Sequence, residues 1–250
     1  MNKHVKNLNR IEFVVTYACT GQCKHCCEGN HLGKTAFVDA DTAAKVVRDV
    51  AGKYKITSIM TFGGEPLLHP ETVYAAHAAA KEMHIPKRQL ITNGFFSKDS
   101  AKIREVAKNL AKSGVNDILL SVDAFHQETI PLEPVKEFAA EVIRLGIPIR
   151  LNPAWVVNKE HDNPYNRRTT ELLEIFENMG IPFSYGNDII PVGNALHYLS
   201  EYYDMSKEYI SPYEDDPFDV RSISMEPDGT LLNGNVFETD VLEILEKYEP

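Results

Sequence analysis

The chain has 250 residues, 43% hydrophobic and 25% charged, with a formal net charge of −10. This is the composition of a soluble globular protein long enough for one large core, and no apolar run approaches the length that spans a bilayer. The acidity argues against binding to a nucleic-acid polymer, which needs a basic surface, but says nothing against a nucleotide-sized ligand.

Ile11 to Thr16 reads as a first strand, with further strands at 57–62, 89–92, 117–122, 147–152 and 183–190. Amphipathic stretches at 41–51, 70–83, 98–113, 134–145 and 169–179 predict the helices between them. The last three end at Gly114, Gly146 and Gly180, each followed at once by an apolar residue. Glycine supplies the left-handed cap that stops a helix before the next strand. Pro70 suits a first helical turn, and Ser97 is a candidate N-cap. Strands alternating with helices imply a parallel sheet with right-handed crossovers, and six units are too few for a closed eight-unit barrel. The expected fold is therefore α/β, an open, partial (β/α)6 barrel with outer helices over residues 1–195. A C-terminal extension, 196–250, carries a tyrosine- and acid-rich stretch at 197–219. It continues with a hairpin at 222–232 turning at Pro227-Asp228-Gly229, and a final helix at 239–248.

All four cysteines lie between positions 19 and 27. Cys19, Cys23 and Cys26 form the pattern C-x3-C-x2-C in the loop after the first strand. Three thiolates can hold three irons of a [4Fe–4S] cube, leaving the fourth open, whereas structural clusters take four cysteines. A zinc site would need a fourth ligand, which His25, Cys27 or His31 could supply. Disulfides are a poor reading, since cysteines so crowded cannot staple the chain, and a reducing cytoplasm suits an exposed thiolate set. Cys27 directly follows the third ligand and cannot easily reach the same cube; it reads as a packed thiol.

The triad, followed one βα unit later by Gly63-Gly64-Glu65-Pro66, resembles the radical S-adenosylmethionine (radical SAM) superfamily. The resemblance implies one [4Fe–4S] cluster on Cys19, Cys23 and Cys26, with SAM on the open iron. It also implies that the Gly63–Pro66 run binds the amino group of SAM. A glycine pair lets backbone approach a ligand closely, although alone it marks only a turn. Thr92 and Asn93, ending the third strand, are SAM contacts on this resemblance or simple turn residues. Ser121 and Asp123, ending the fourth, correspond to the side chains that meet the SAM carboxylate and ribose, and Asn152 is a further ribose candidate. His25 stands where the family has an aromatic residue beside cluster and adenine, or is a surface histidine. Pro153 to Val157 could shelter adenine or belong to the core. Pro191-Val-Gly193 fits a backbone surface near adenine.

By the same resemblance the cofactor carries the chemistry. An external one-electron donor, flavodoxin- or ferredoxin-like, reduces the cluster, and SAM is cleaved to a 5′-deoxyadenosyl radical. That radical takes hydrogen from a peptide or small-molecule substrate. His126 and Glu128, just beyond the fourth strand, either face that substrate, with His126 as a catalytic candidate, or are a surface pair at a helix start. Arg221 to Gly234 resembles the opening hairpin of a SPASM or twitch region without its cysteines, so one cluster is expected. With the 197–219 stretch, this hairpin is expected to form a lid over the open barrel side. Ten residues precede the first strand, too few to grip a peptide leader, so a peptide substrate would need a separate recognition protein. The contrasting readings are a non-catalytic Fe–S or zinc redox sensor, or a SAM-binding partner subunit.

Overall fold

The computed structural model describes residues 2–213 and 215–250; Met1 and Glu214, the latter within the stretch 197–219, lie outside them. The first strand, β1 (Arg10–Val14), is followed by helix α1 (Ala40–Lys53), β2 (Ser58–Phe62), α2 (Pro70–Glu82), β3 (Lys87–Thr92) and α3 (Ser100–Ser113). Then come β4 (Asp117–Leu120), the short α4 (Ala124–Gln127), α5 (Leu132–Arg144), β5 (Ile149–Leu151), β6 (Ala154–Val156), α6 (Pro164–Glu177) and β7 (Asn187–Ile189). The chain closes with α7 (Asn194–Tyr198), β8 (Ser222–Met225), β9 (Thr230–Leu231), β10 (Gly234–Asn235) and α8 (Val241–Lys247).

Strands β1 to β5 pair in parallel and in chain order, with Ile11 opposite Ile59 and Leu90 opposite Ile118. All four residues of β4 are buried, as expected for a strand covered on both faces. The helices seal the outer face: α1 buries Val46, Val47 and Val50, and α5 buries Val135, Phe138 and Val142. Each such side chain stabilises the fold by about 1.5–3 kcal/mol through area removed from water. Gly114 caps α3 with φ 92°, and Gly146 and Gly180 are left-handed after α5 and α6. The expected partial barrel is therefore present.

Several boundaries differ from expectation for local reasons. Asp99, not Ser97, caps α3, its carboxylate accepting from Ala101 N at 2.8 Å. α6 starts five residues before the expected 169, because Asn163 accepts from Asn166 N at 2.9 Å and Pro164 fits the first turn. The sixth strand is split. Leu151 makes an isolated parallel bridge to Phe183, and only 187–189 forms β7, paired with β6. Between β5 and β6 stands Pro153, which has no N–H to give a ladder; its carbonyl accepts from Asn187 N at 2.9 Å instead.

The C-terminal hairpin is present but does not lie over the barrel. β8 pairs in parallel with β1, Ile223 opposite Ile11, and β9 and β10 extend that edge antiparallel. The burial of Ile223, Met225 and Leu231 in the main core explains the placement, since a lid would leave them wet. α8 docks beside α1, with Lys45 Nζ 2.8 Å from Asp240. Of the 197–219 stretch, Tyr203 bridges β6 and β7: its hydroxyl donates to Ile189 O at 2.7 Å and accepts from Val157 N at 3.2 Å. Among the described residues, no helix is long and apolar enough to cross a membrane.

Candidate functional site

A parallel sheet puts the ends of its strands on one rim, where ligands gather in this architecture. Backbone hydrogen bonds continue past the strands and stitch that rim together. Gly64 N donates to Thr16 O at 2.7 Å and Glu65 N to Ala18 O at 2.8 Å. Ser121 N donates to Thr92 O at 2.9 Å and Asn152 N to Leu120 O at 2.8 Å. The expected cysteines, glycine pair, Thr92, Asn93, Ser121, Asp123 and Asn152 thus sit in sheet order along one edge.

The glycine pair is required first by the protein itself. A Cβ on Gly64 would lie 2.0 Å from Ala18 O, and Gly63 has φ 127°. Their closest neighbour is the backbone of the cysteine loop. Glu65 is fully buried; it accepts from Leu67 N at 2.9 Å, Thr92 Oγ1 at 2.7 Å and Asn93 N at 2.9 Å. Burial lifts its carboxyl to about 7, against the pull of those three donors. Pro66 is buried at the start of a single 3-10 turn.

Thr92 and Asn93 are nearly buried, and their side chains serve the turn: Gly94 N donates to Thr92 Oγ1 and Phe95 N to Asn93 Oδ1. Asn93 does more, since its amide donates to Thr20 Oγ1 at 3.1 Å and points at Cys19 Sγ at 3.7 Å. Asp123, expected as a SAM contact, lies just beyond β4 on this rim. It is fully buried, and Phe125 N, His126 N, His126 Nδ1 and Ala154 N all donate to its two oxygens. Its visible work is to cap α4 and hold His126 at 2.8 Å. Ser121 makes no side-chain hydrogen bond among the described residues, and Asn152 receives one from Ser184 Oγ at 3.1 Å. These two keep polar atoms open on the rim.

Cys19 Sγ accepts from Gly21 N at 3.3 Å, and Cys26 Sγ lies 3.1 Å from His31 Nε2, whose ring donates through Nδ1 to Tyr17 O at 2.7 Å. Burial raises all three thiols, Cys19 and Cys26 to about 11, so thiolates here need positive charge beside them. Cys27 is exposed rather than packed, because its side chain turns out towards Glu28. His25 is half-buried: its ring packs 5.0 Å from both Phe125 and His126. Glu128 pairs with Lys24 at the surface, 2.9 Å away, which gives it the bland role.

Zinc and a cube make different demands on the three thiols. Zinc–thiolate bonds of about 2.3 Å keep two sulfurs on one ion within about 4.6 Å. Among the described residues, the group whose ligand atoms all lie within 4.8 Å of one another is His25, Asp123 and His126, not the three cysteines. Three thiolates from one loop suit three corners of a cube. The Radical SAM superfamily model matches residues 13–194.

The chain belongs to the radical SAM superfamily.

Among curated relatives it is 25% identical over 213 residues to the probable GTP 3′,8-cyclase of Saccharolobus solfataricus, covering 81% of this chain and 65% of that one. It is 25% identical over 221 residues to the GTP 3′,8-cyclase of Desulforamulus reducens, covering 80% and 66%. The chain therefore spans just under two thirds of these relatives' length. In fold it matches Streptococcus suis SuiB bound to S-adenosylmethionine, with TM-score 0.68 and 16% identity over 99% of this chain and 67% of that one. It also matches anSMEcpe with bound AdoMet, TM-score 0.58 and 13% identity, over 96% and 77%. As a radical SAM enzyme it uses a [4Fe–4S] cluster and SAM.

Sequence reasoning missed Asn194. Its backbone N–H donates to Cys26 O at 2.9 Å, and its side chain to Cys23 O at 3.0 Å. A Cβ on Gly193 would come 2.3 Å from Cys27 O. The Pro191-Val-Gly193 turn, expected near adenine, thus grips the cysteine loop. Tyr17 was missed too; its hydroxyl donates to Glu226 at 2.9 Å and ties the loop to the end of β8. Only a polar residue after Pro-Val-Gly hinted at the first, and nothing local signals the second.

Proposed function

We propose that this radical SAM enzyme removes a hydrogen atom from a small metabolite or a peptide seated at the barrel mouth, with Cys19, Cys23 and Cys26 as cluster ligands. When bound, cluster and SAM supply a 5′-deoxyadenosyl radical after one-electron reduction by an external flavodoxin- or ferredoxin-like donor. The protein's own part is to position and to exclude water. The backbone of Gly63-Gly64-Glu65-Pro66 and the side chains of Thr92, Asn93, Ser121 and Asn152 form the SAM-facing rim. His126, fixed by Asp123, faces the substrate.

The observation that carries this reading is the gathering of three thiols from one loop, Cys23 buried and Cys19 and Cys26 partly so, on the same rim as the glycine run. Likeness to GTP 3′,8-cyclases supports a small-molecule substrate. Likeness in fold to SuiB, solved with its precursor peptide SuiA, supports a peptide. Anaerobic reduction with SAM should yield 5′-deoxyadenosine, and a sensor or non-catalytic subunit yields none. Reconstitution should give about four irons per chain, since every cysteine falls in one loop.

A further inference from the structure

His25, Asp123 and His126 come from two parts of the chain, the cysteine loop and the rim after β4, and bring their ligand atoms within 4.8 Å of one another. We propose that His25 and His126, oriented by Asp123, form a second, mononuclear site for a first-row divalent cation, zinc foremost.

Two features carry the inference. His126 Nδ1 is 2.8 Å from Asp123 Oδ2, and Asp123 is fully buried. A carboxylate that takes one ring N–H fixes the tautomer and leaves Nε2 as the lone-pair nitrogen, the usual support for a metal-bound histidine. Next, His25 Nδ1 is buried without a hydrogen-bond partner. An orphaned polar atom costs about 1–3 kcal/mol, and a phenyl ring would pack against Phe125 without that cost, so the imidazole is explained by something it binds.

The spacing suits one ion. Metal–nitrogen bonds of about 2.1 Å bring two ligands within about 4.2 Å, and one ligand atom from each of the three residues already lies within 4.8 Å of the others. Two imidazoles select zinc, cobalt or iron(II) over magnesium or calcium, which prefer oxygen alone. The His126 side chain is 15% exposed, so an ion reaches it from the mouth. Remaining positions are open to water or to an oxygen or nitrogen donor of the substrate. That last role rests on the proposed hydrogen-abstraction function; ion binding does not, and is measured apart from it.

The test uses the reconstituted full-length chain carrying Cys27→Ala, so that the exposed thiol captures no metal. After exposure to zinc and removal of loose ions by mild chelation, metal analysis should find about one zinc beside about four irons. His126→Ala should keep the irons and lose the zinc, and Asp123→Asn should weaken zinc by about 10–100-fold. A second measurement titrates cobalt(II) into a full-length chain with all four cysteines replaced by alanine, its fold checked by circular dichroism. Visible absorption without sulfur charge-transfer should appear, and should vanish with His25→Ala or His126→Ala. Iron-loaded protein that retains no zinc, or zinc that survives His126→Ala, overturns the site.

Discussion

Asn194 holds Cys26 and Cys23 by their backbone carbonyls, at 2.9 and 3.0 Å, across 171 residues of chain. It joins the last barrel strand to the first loop, so it closes the site where the sheet itself does not. Asn194→Ala keeps the backbone bond to Cys26 O but should cost about 1–3 kcal/mol, because Cys23 O loses its side-chain donor, a partner that water replaces poorly. Urea unfolding measures this, and iron loss to a chelator should quicken in parallel. Unchanged iron retention would mean that the loop holds its shape without Asn194.

The cysteines divide by position. Alanine at Cys19, Cys23 or Cys26 should abolish the visible absorbance of the cluster and 5′-deoxyadenosine formation. Cys27→Ala should spare both, since that thiol is exposed and turned towards Glu28. Retained absorbance in Cys26→Ala with loss in Cys27→Ala would reverse the assignment.

Gly64→Ala places a methyl group 2.0 Å from Ala18 O. No side chain can yield there, only backbone. The substitution should destabilise the chain by about 3 kcal/mol or more, or displace the cysteine loop so that reconstitution fails. A melting temperature and iron content equal to the parent protein would refute the close approach.

His77 offers a pH test far from the cysteines. Its ring is fully buried, with Nε2 3.0 Å from Thr61 Oγ1, and burial lowers its pKa from 6.5 to about 3. The unfolded chain therefore binds a proton that the folded chain refuses between those values. The sign follows: this contribution is intact above pH 6.5 and is lost as pH falls towards 3. Replacing His77 with Gln should flatten the loss of stability over that window, read as denaturation midpoints against pH. An identical slope in the variant would show that His77 is not the group responsible.

Alternation of strand and helix, the glycine caps and the cysteine loop were all legible in sequence, because each depends on neighbours within a few residues. A left-handed cap needs glycine whatever it packs against, and period-two or period-3.6 burial is written directly in the chain. The split of the sixth strand was harder to read, since the pairing of Asn187 with Pro153 depends on two segments meeting. The extra helical turn of α6 was written in Asn163-Pro164 and overlooked.

Three thiols in one loop, then a glycine pair one unit on, carried the resemblance to the radical SAM superfamily, and both are local features of chain order. Which polar groups are free to do chemistry was decided only by tertiary structure. Asp123 and Glu65 look like open ligands in sequence, yet the fold fills their oxygens with backbone and side-chain donors from distant strands. The hairpin after 222 likewise joins β1 rather than covering the barrel, because Ile223 and Met225 complete the core there. Hydrogen-bond saturation and burial are properties of neighbours in space, and a sequence specifies those neighbours without displaying them.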